Sequence, residues 1–275
     1  DIDVFDIELN VEEPEKLIAG LKVMLKLFPN AKGTLAVEDN KPDAIALLKK
    51  LTKDETDISV AALHTKYPQG SERHLIYAVT GRAINSSMLP ADAGCIVDNV
   101  DTVVAINQAV REGKPLMHRI VTVTGDAVAN PQNFIVRIGT NYNELIEEAG
   151  GFVQEPAKII SGGPMMGFAM FGLDVPTTKT SSSLLCMSQD EVAAAEKLQT
   201  ACINCGRCVE ACPEQLIPSR LAKFSDKGLS EEFEKWHGLE CVECGSCSFA
   251  CPAKRQLAQS IKTMKKQVLA AKRKK

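Results

Sequence analysis

The feature that most constrains this chain is a pair of cysteine runs in its last third, ACINCGRCVEACP at 201–213 and ECVECGSCSFACP at 240–252. In the first, Cys202, Cys205 and Cys208 stand three apart, Cys212 follows four later, and Pro213 closes the run. Cys241, Cys244, Cys247, Cys251 and Pro252 repeat the pattern. A chain that curls through either run can turn three sulfurs towards one centre, while the fourth lies too far along to close the same shell. The spacing C-x2-C-x2-C-x3-C-P is the one that holds cubane [4Fe-4S] clusters, the fourth cysteine crossing to the partner cluster in two-cluster ferredoxins. The expected ligand sets are Cys202, Cys205, Cys208 and Cys251 for one cluster, and Cys241, Cys244, Cys247 and Cys212 for the other.

Two plainer readings compete. Structural zinc also uses four thiolates, but as two C-x2-C pairs around a longer loop, which leaves no role for a third close cysteine. Eight cysteines could form four disulfides in a small secreted domain, yet this chain is long, has no signal-like start and confines these thiols to one segment. Iron-sulfur ligation accounts for the repeat where the others do not, and reduced thiols point to a reducing compartment.

The length of 275 residues suggests about two domains, with three small ones possible. No apolar run approaches the roughly 20 residues that span a bilayer, the nearest being the glycine-broken GGPMMGFAMFGLDV at 162–175. A net charge of −3 predicts no nucleic-acid partner, but Ala253 to Lys275 carries nine Lys or Arg and no acid. Such a tail suits anionic headgroups or an acidic protein face, or is simply a solvated helix end.

The hydrophobic pattern divides the chain into three. In the first segment, 1–113, EEPEKLIAGLKVMLKLF reads as an amphipathic helix opened by Pro14, TLAVED as a buried strand, KPDAIALLKKL as a helix and DISVAALHT as a second strand. That order is β-α-β with a parallel sheet, and its ligand end is the carboxyl end of the strands, where EDNK falls. No G-x-G-x-x-G fingerprint accompanies it. A further helix, VDTVVAINQAVREG, ends the segment.

In the second, 114–186, HRIVTVTGDAV and QNFIVRIGT alternate as an antiparallel pair, NYNELIEEAGG is a helix and AKIISGGPMMG a strand with a glycine-rich turn, together a β-grasp-like module. In the third, 187–275, Ser188 and Glu191 form a capping-box pattern opening a helix that leads into the first cysteine run. PSRLAKFSDKG and SEEFEKWHG then read as helices closed by Gly228 and Gly238, and a last helix follows Pro252. The expected fold class is α/β plus α+β: a partial α/β domain, a β-grasp module and a helical two-cluster ferredoxin domain, the first of which the resemblance given next assigns to flavin and nicotinamide and the second to the soluble-ligand-binding type.

With AVEDNKPDAI, YPQGSERHLIYAVTG, RIVTVTGDAV, ISGGPMMG and both cysteine runs in view, the chain resembles the C subunit of the Rnf (Rsx) ion-translocating electron transport complex. The resemblance runs through almost the whole sequence. It implies a peripheral subunit on the cytoplasmic face of the bacterial inner membrane, holding FMN, a site for NAD(H) and two [4Fe-4S] clusters, with its flavin domain shared with the FMN subunit of respiratory complex I. It implies a ferredoxin:NAD oxidoreductase role, electrons passing between NAD(H), FMN and the clusters, with the other subunits of the membrane complex as partners. Glu38, Asn40 and Lys41 would lie at the flavin and nicotinamide pocket, and Gly70 and Glu72 at the turn and helix start that help close it. No side chain is assigned a catalytic role. The family's glycine-rich flavin loop, G-G-A-G-F-P, is expected upstream of the first helix and is not among these residues, nor does DIDVFDIELN match what precedes that helix. FMN is thus implied by the resemblance and not by the residues.

Taken singly, several residues have simpler roles. Glu38 and Asn40 could be strand-end caps, Lys41 a phosphate partner, and PQG an ordinary turn. Cys95 and Cys186 read as small buried hydrophobes, and His64, His74, His118 and His237 show no ligand spacing. GGPMMG could approach a cofactor with bare backbone or simply turn tightly. Arg207 could tune a cluster potential or face water. A flavin and iron-sulfur cobalamin reductase of bacterial microcompartments shares this layout, and a non-catalytic binding module with a structural metal is the third reading.

Overall fold

The computed structural model describes residues 13–273, so DIDVFDIELN and the last two lysines lie outside the described residues. Its chain divides into two units, one ending at Leu116 and the other beginning at Met117.

In the first unit, helix α1 (Pro14–Leu25) starts at proline, whose fixed φ and missing N–H suit a first helical turn. Its apolar stripe, Leu17, Ile18, Leu21 and Met24, is buried, while Phe28 falls beyond the helix end and is exposed. Strand β1 (Gly33–Glu38), helix α2 (Pro42–Leu51) and strand β2 (Ile58–Leu63) form the expected β-α-β unit. The strands run parallel, from Gly33 opposite Ile58 to Glu38 opposite Leu63. Helices α3 (Glu72–Thr80) and α4 (Val100–Glu112) follow. Leu17, Leu21, Leu35, Leu48 and Val103 meet in one core. Burying each stabilises the fold by roughly 1.5–3 kcal/mol relative to exposure.

The second unit opens with a five-stranded sheet in the order β4-β3-β7-β5-β6. Strands β3 (His118–Thr124) and β4 (Gln132–Arg137) are the antiparallel pair read from their alternation. Helix α5 (Tyr142–Glu148) crosses next, then β5 (Lys158–Ser161), β6 (Phe168–Met170) and β7 (Ser183–Met187). β7 lies parallel to β3 and antiparallel to β5, so the sheet is mixed. Val121, Val123, Leu184 and Cys186 turn one face towards Tyr142, Leu145 and Ile146 of α5. The buried Tyr142 hydroxyl lies 3.0 Å from Ser161 Oγ and 3.1 Å from Ser181 Oγ, so burying it leaves no polar atom stranded.

Helix α6 (Glu191–Lys197) departs from expectation at both ends. Its N-cap is Asp190, whose carboxylate accepts from the Val192 and Ala193 amides, because Ser188 is engaged elsewhere: its amide and hydroxyl both donate to Asp126. The helix stops at Lys197, short of the cysteines. After the one-turn helix α7 (Arg207–Glu210) come α8 (Pro218–Asp226) and α9 (Ser230–Lys235), another one-turn helix α10 (Ser246–Phe249), and α11 (Leu257–Arg273). α9 ends before Gly238; His237 takes the left-handed conformation at φ 58°. α11 buries Leu257, Ile261, Met264 and Val268, a helical stripe that joins Leu221, Ala222 and Phe233 in a third core. Among the described residues no helix is long and apolar enough to cross a membrane.

Candidate metal centre

The two cysteine runs follow one backbone path twice. Asn204 and Glu243, each just before the second cysteine of its run, have φ 56° and 60°. Gly206 and Gly245 have φ 81° and 82° and open the short helices α7 and α10, and further on Gln215 and Lys254 have φ 53° and 54°. Left-handed residues recurring at these positions bend each run around a hollow, and glycine occupies the two positions of largest φ, a backbone conformation that side-chain-bearing residues rarely adopt.

The first hollow is lined by Cys202, Cys205, Cys208 and Cys251. The second is lined by Cys212, Cys241, Cys244 and Cys247. Each therefore has three cysteines from one run and one from the other. All ten cysteines of the chain are free, which removes the disulfide reading. Among the described residues no three Cys, His or carboxylate side chains converge as ligands to a single ion would. A cubane binds one thiolate at each of four iron corners, so its ligands stand around a cage rather than a point.

The second hollow is the more enclosed. Cys244 and Cys247 are buried and Cys212 and Cys241 half-buried, whereas Cys202 and Cys205 are exposed. Burial pushes the Cys247 thiol up to about 12, and the neighbouring Cys241, Cys244 and Cys212 push it the same way. Burial likewise raises Cys212 and Cys241. Metal or cluster binding there has to displace protons that the apoprotein holds tightly. Backbone amides point at sulfur too: Leu216 N–H donates to Cys212 and Glu243 N–H to Cys241, both at 3.4 Å. Hydrogen bonds of this kind set cluster potentials.

In the first unit, Glu38 ends β1, Asn40 lies in the exposed turn beyond it and Lys41 is the N-cap of α2. Gly70 is in the exposed turn that follows β2, and Glu72 is the first residue of α3. All five therefore lie at or beyond the carboxyl ends of two adjacent parallel strands. Sequence reasoning missed the residue that ties those ends together, Asp39. Its carboxylate accepts from the Thr65 amide at 3.0 Å and hydroxyl at 2.7 Å, and faces His64 Nδ1 at 3.3 Å. These bonds, the Thr65 hydroxyl first, hold the Asp39 carboxyl below its ordinary range. The Asn40 amide also donates to Thr65 Oγ1, at 3.3 Å. An acid one position past a strand was the available signal. The N-termini of α2 and α3 make no side-chain cap hydrogen bond, and a helix start suits an anionic group such as a phosphate.

The two crossed cysteine sets are those of a protein that holds a pair of [4Fe-4S] clusters. Residues 4–108 match the Nuo51 FMN-binding domain, 120–169 the SLBB domain and 201–255 the 4Fe-4S dicluster domain. The chain is a relative of the C subunit of Rnf-type complexes. It is 45% identical over 98% of its length to the C subunit of the Na(+)-translocating ferredoxin:NAD(+) oxidoreductase complex of Acetobacterium woodii, of which it covers 60%. It is 47% identical over 95% of its length to the proton-translocating counterpart of Clostridium ljungdahlii, covering 57% of that protein. The C subunit of the ion-translocating oxidoreductase complex of Yersinia pestis is 39% identical over 85% of this chain, which covers 37% of it. The chain thus spans about 60% or less of the length of these relatives.

Proposed function

We propose that this chain is the electron-relay portion of an NAD-linked oxidoreductase subunit, ferredoxin:NAD oxidoreductase in class, working in a membrane-bound ion-translocating complex. The observation that carries this reading is the crossed lining of the two hollows, three cysteines of one run and the fourth of the other in each. The ligand sets are Cys202, Cys205, Cys208 and Cys251, and Cys212, Cys241, Cys244 and Cys247. When bound, FMN exchanges electron pairs with a nicotinamide and single electrons with [4Fe-4S] centres.

The chain's own residues space, orient and shield these groups. The left-handed turns aim three sulfurs inwards, the cores of α8, α9 and α11 hold the two runs at fixed separation, and the amides at Cys212 and Cys241 favour the thiolate charge. In the first unit, Lys41 and the uncapped start of α2 suit a phosphate, while Glu38 and Asn40 suit ribose or flavin polar groups. Gly70 and Glu72 would close the same end. The finer architecture that goes with this is a partial flavin and nicotinamide domain over 1–113, a β-grasp module over 114–186 and a helical two-cluster ferredoxin domain over 187–275. The central parallel pair β3 and β7, with antiparallel neighbours and one helix across, supports the second. The partners are the other subunits of the complex, on the cytoplasmic face of the membrane, and association with the bilayer runs through them.

Anaerobic reconstitution with iron and sulfide tests the reading. It requires about eight irons and eight sulfides per chain, four of each per cubane, and EPR signals on reduction. Stoichiometric zinc with no redox response would refute it. Adding FMN and NADH to the reconstituted chain tests the first unit, where Lys41→Ala should weaken flavin or nicotinamide binding and leave iron content unchanged.

A further inference from the structure

The two cysteine runs share a backbone path, yet their surroundings differ. At Gly206, between Cys205 and Cys208, an added Cβ would meet nothing within 4 Å. At Gly245, the matching position, it would lie 3.3 Å from Met165 Cε and 3.6 Å from the Met165 carbonyl oxygen. Met165 belongs to the turn between β5 and β6, and Gly245 lines the second hollow. This turn is tight: a Cβ on Gly167 would stand 2.6 Å from the Gly163 carbonyl oxygen, which accounts for glycine there.

The strand leaving the turn is held to the same place. Lys262 of α11 sets its ammonium 5.9 Å from the Phe168 ring centroid and 3.4 Å from Glu243 Oε2, inside the second cysteine run. Lys265, on the same helix, reaches Glu243 Oε1 at 3.6 Å and donates to the Cys241 carbonyl at 2.6 Å. The first run has an open face instead. Cys202 and Cys205 are exposed where Cys241 is half-buried and Cys244 buried, and Ile203 between the first two is 63% exposed.

We propose that the β5–β6 turn, through Met165, is an insulating cap for the second cluster alone, so that the first cluster is the one that outside reagents and redox partners reach. This rests on the two-cluster reading above. A thioether is apolar, flexible and polarisable, and fills an irregular gap that a stiffer side chain would leave open. The apolar shell around a metal site controls solvent access, and with it lability and potential. Two sites on the same backbone frame are thereby given unequal surroundings: at the second, Met165, itself 38% exposed, lies over Gly245 while Lys262 and Lys265 hold Glu243.

The test uses the full chain loaded anaerobically with both clusters and checked for about eight irons. A chain that cannot hold them sinks the cluster reading itself, which separates that failure from this one. The loaded protein is challenged with excess hexacyanoferrate(III), quenched at intervals with iodoacetamide, and its cysteines mapped by peptide mass spectrometry. Cys202, Cys205, Cys208 and Cys251 should be alkylated first. Met165→Ala should expose Cys212, Cys241, Cys244 and Cys247 about tenfold faster, the lower end of what removing an outer-shell partner does to a metal site. The first set should keep its rate, and Met165→Leu should behave as the parent. Equal rates for the two sets, the second set reacting first, or a Met165→Ala variant with an unchanged second set would each overturn the proposal.

Discussion

Cys212→Ser discriminates between crossed and uncrossed ligation, because Cys212 belongs to the first run in sequence but to the second hollow in space. The substitution removes one of four thiolates from the site shared with Cys241, Cys244 and Cys247. Iron should fall from about eight to about four per chain, with the cluster of Cys202, Cys205, Cys208 and Cys251 retained. A stability cost follows as well. A bound cluster ties Cys212 to Cys241 across 28 intervening residues, a span that contains α8 and α9. Treated like a disulfide cross-link, closing a loop of that length stabilises the folded chain by about 4 kcal/mol through the entropy it removes from the unfolded one. For a unit of this size that corresponds to a fall in Tm on the order of 10 °C. Iron analysis, EPR of the reduced protein and anaerobic calorimetry of the loaded chain read all three effects. A Cys212→Ser protein whose surviving cluster is held by Cys241, Cys244, Cys247 and Cys251 would refute the crossing.

Three further outcomes are expected. Gly125→Ala places a Cβ 1.9 Å from the Cys186 carbonyl oxygen at φ 116°, and should destabilise the second unit by about 3 kcal/mol or more in urea unfolding, from clash and strain together. The Cys186 thiol, pushed up to about 11 by burial, should resist iodoacetamide at pH 8 in the native protein and react once denatured. The Asp190 carboxyl is partly buried, which opposes ionisation, yet the hydrogen bond from Lys158 at 2.9 Å and those from the Ala193 and Val192 amides hold it below its ordinary value. A depressed carboxyl stabilises above its unfolded pKa and loses that contribution as pH falls through the folded value. Lys158→Met should therefore cost less than about 1 kcal/mol near neutrality, and the difference from the parent should shrink as pH drops below about 4, by thermal melts across pH.

What was legible in the sequence was whatever depends on local spacing. The cysteine runs carry in their intervals the sets that line the two hollows, and β3 and β4 declare themselves by alternation. Pro14 and Pro42 mark helix starts because proline's φ and lost donor act on the backbone alone. What was not legible depends on partners far along the chain. Ser188 looks like a helix cap until Asp126, 62 residues away, takes its amide and hydroxyl, and Asp190 caps α6 instead. β7 escaped notice because SLLCM is short and apolar, and only its pairing with β3 and β5 makes it a strand. Asp39 was passed over beside Glu38 because its partners, His64 and Thr65, follow the other strand. Nothing in GGPMMG announces that its methionine rests on a glycine 80 residues later.

The exchange of Cys212 and Cys251 between the two hollows has a consequence for biosynthesis. The enclosure that Cys212 joins lacks its other three sulfurs until the polypeptide has emerged from the ribosome past Cys247, and the enclosure begun by Cys202 stays open until Cys251 follows. Neither hollow can therefore assemble its four sulfurs before the second run has been synthesised and has folded back on the first.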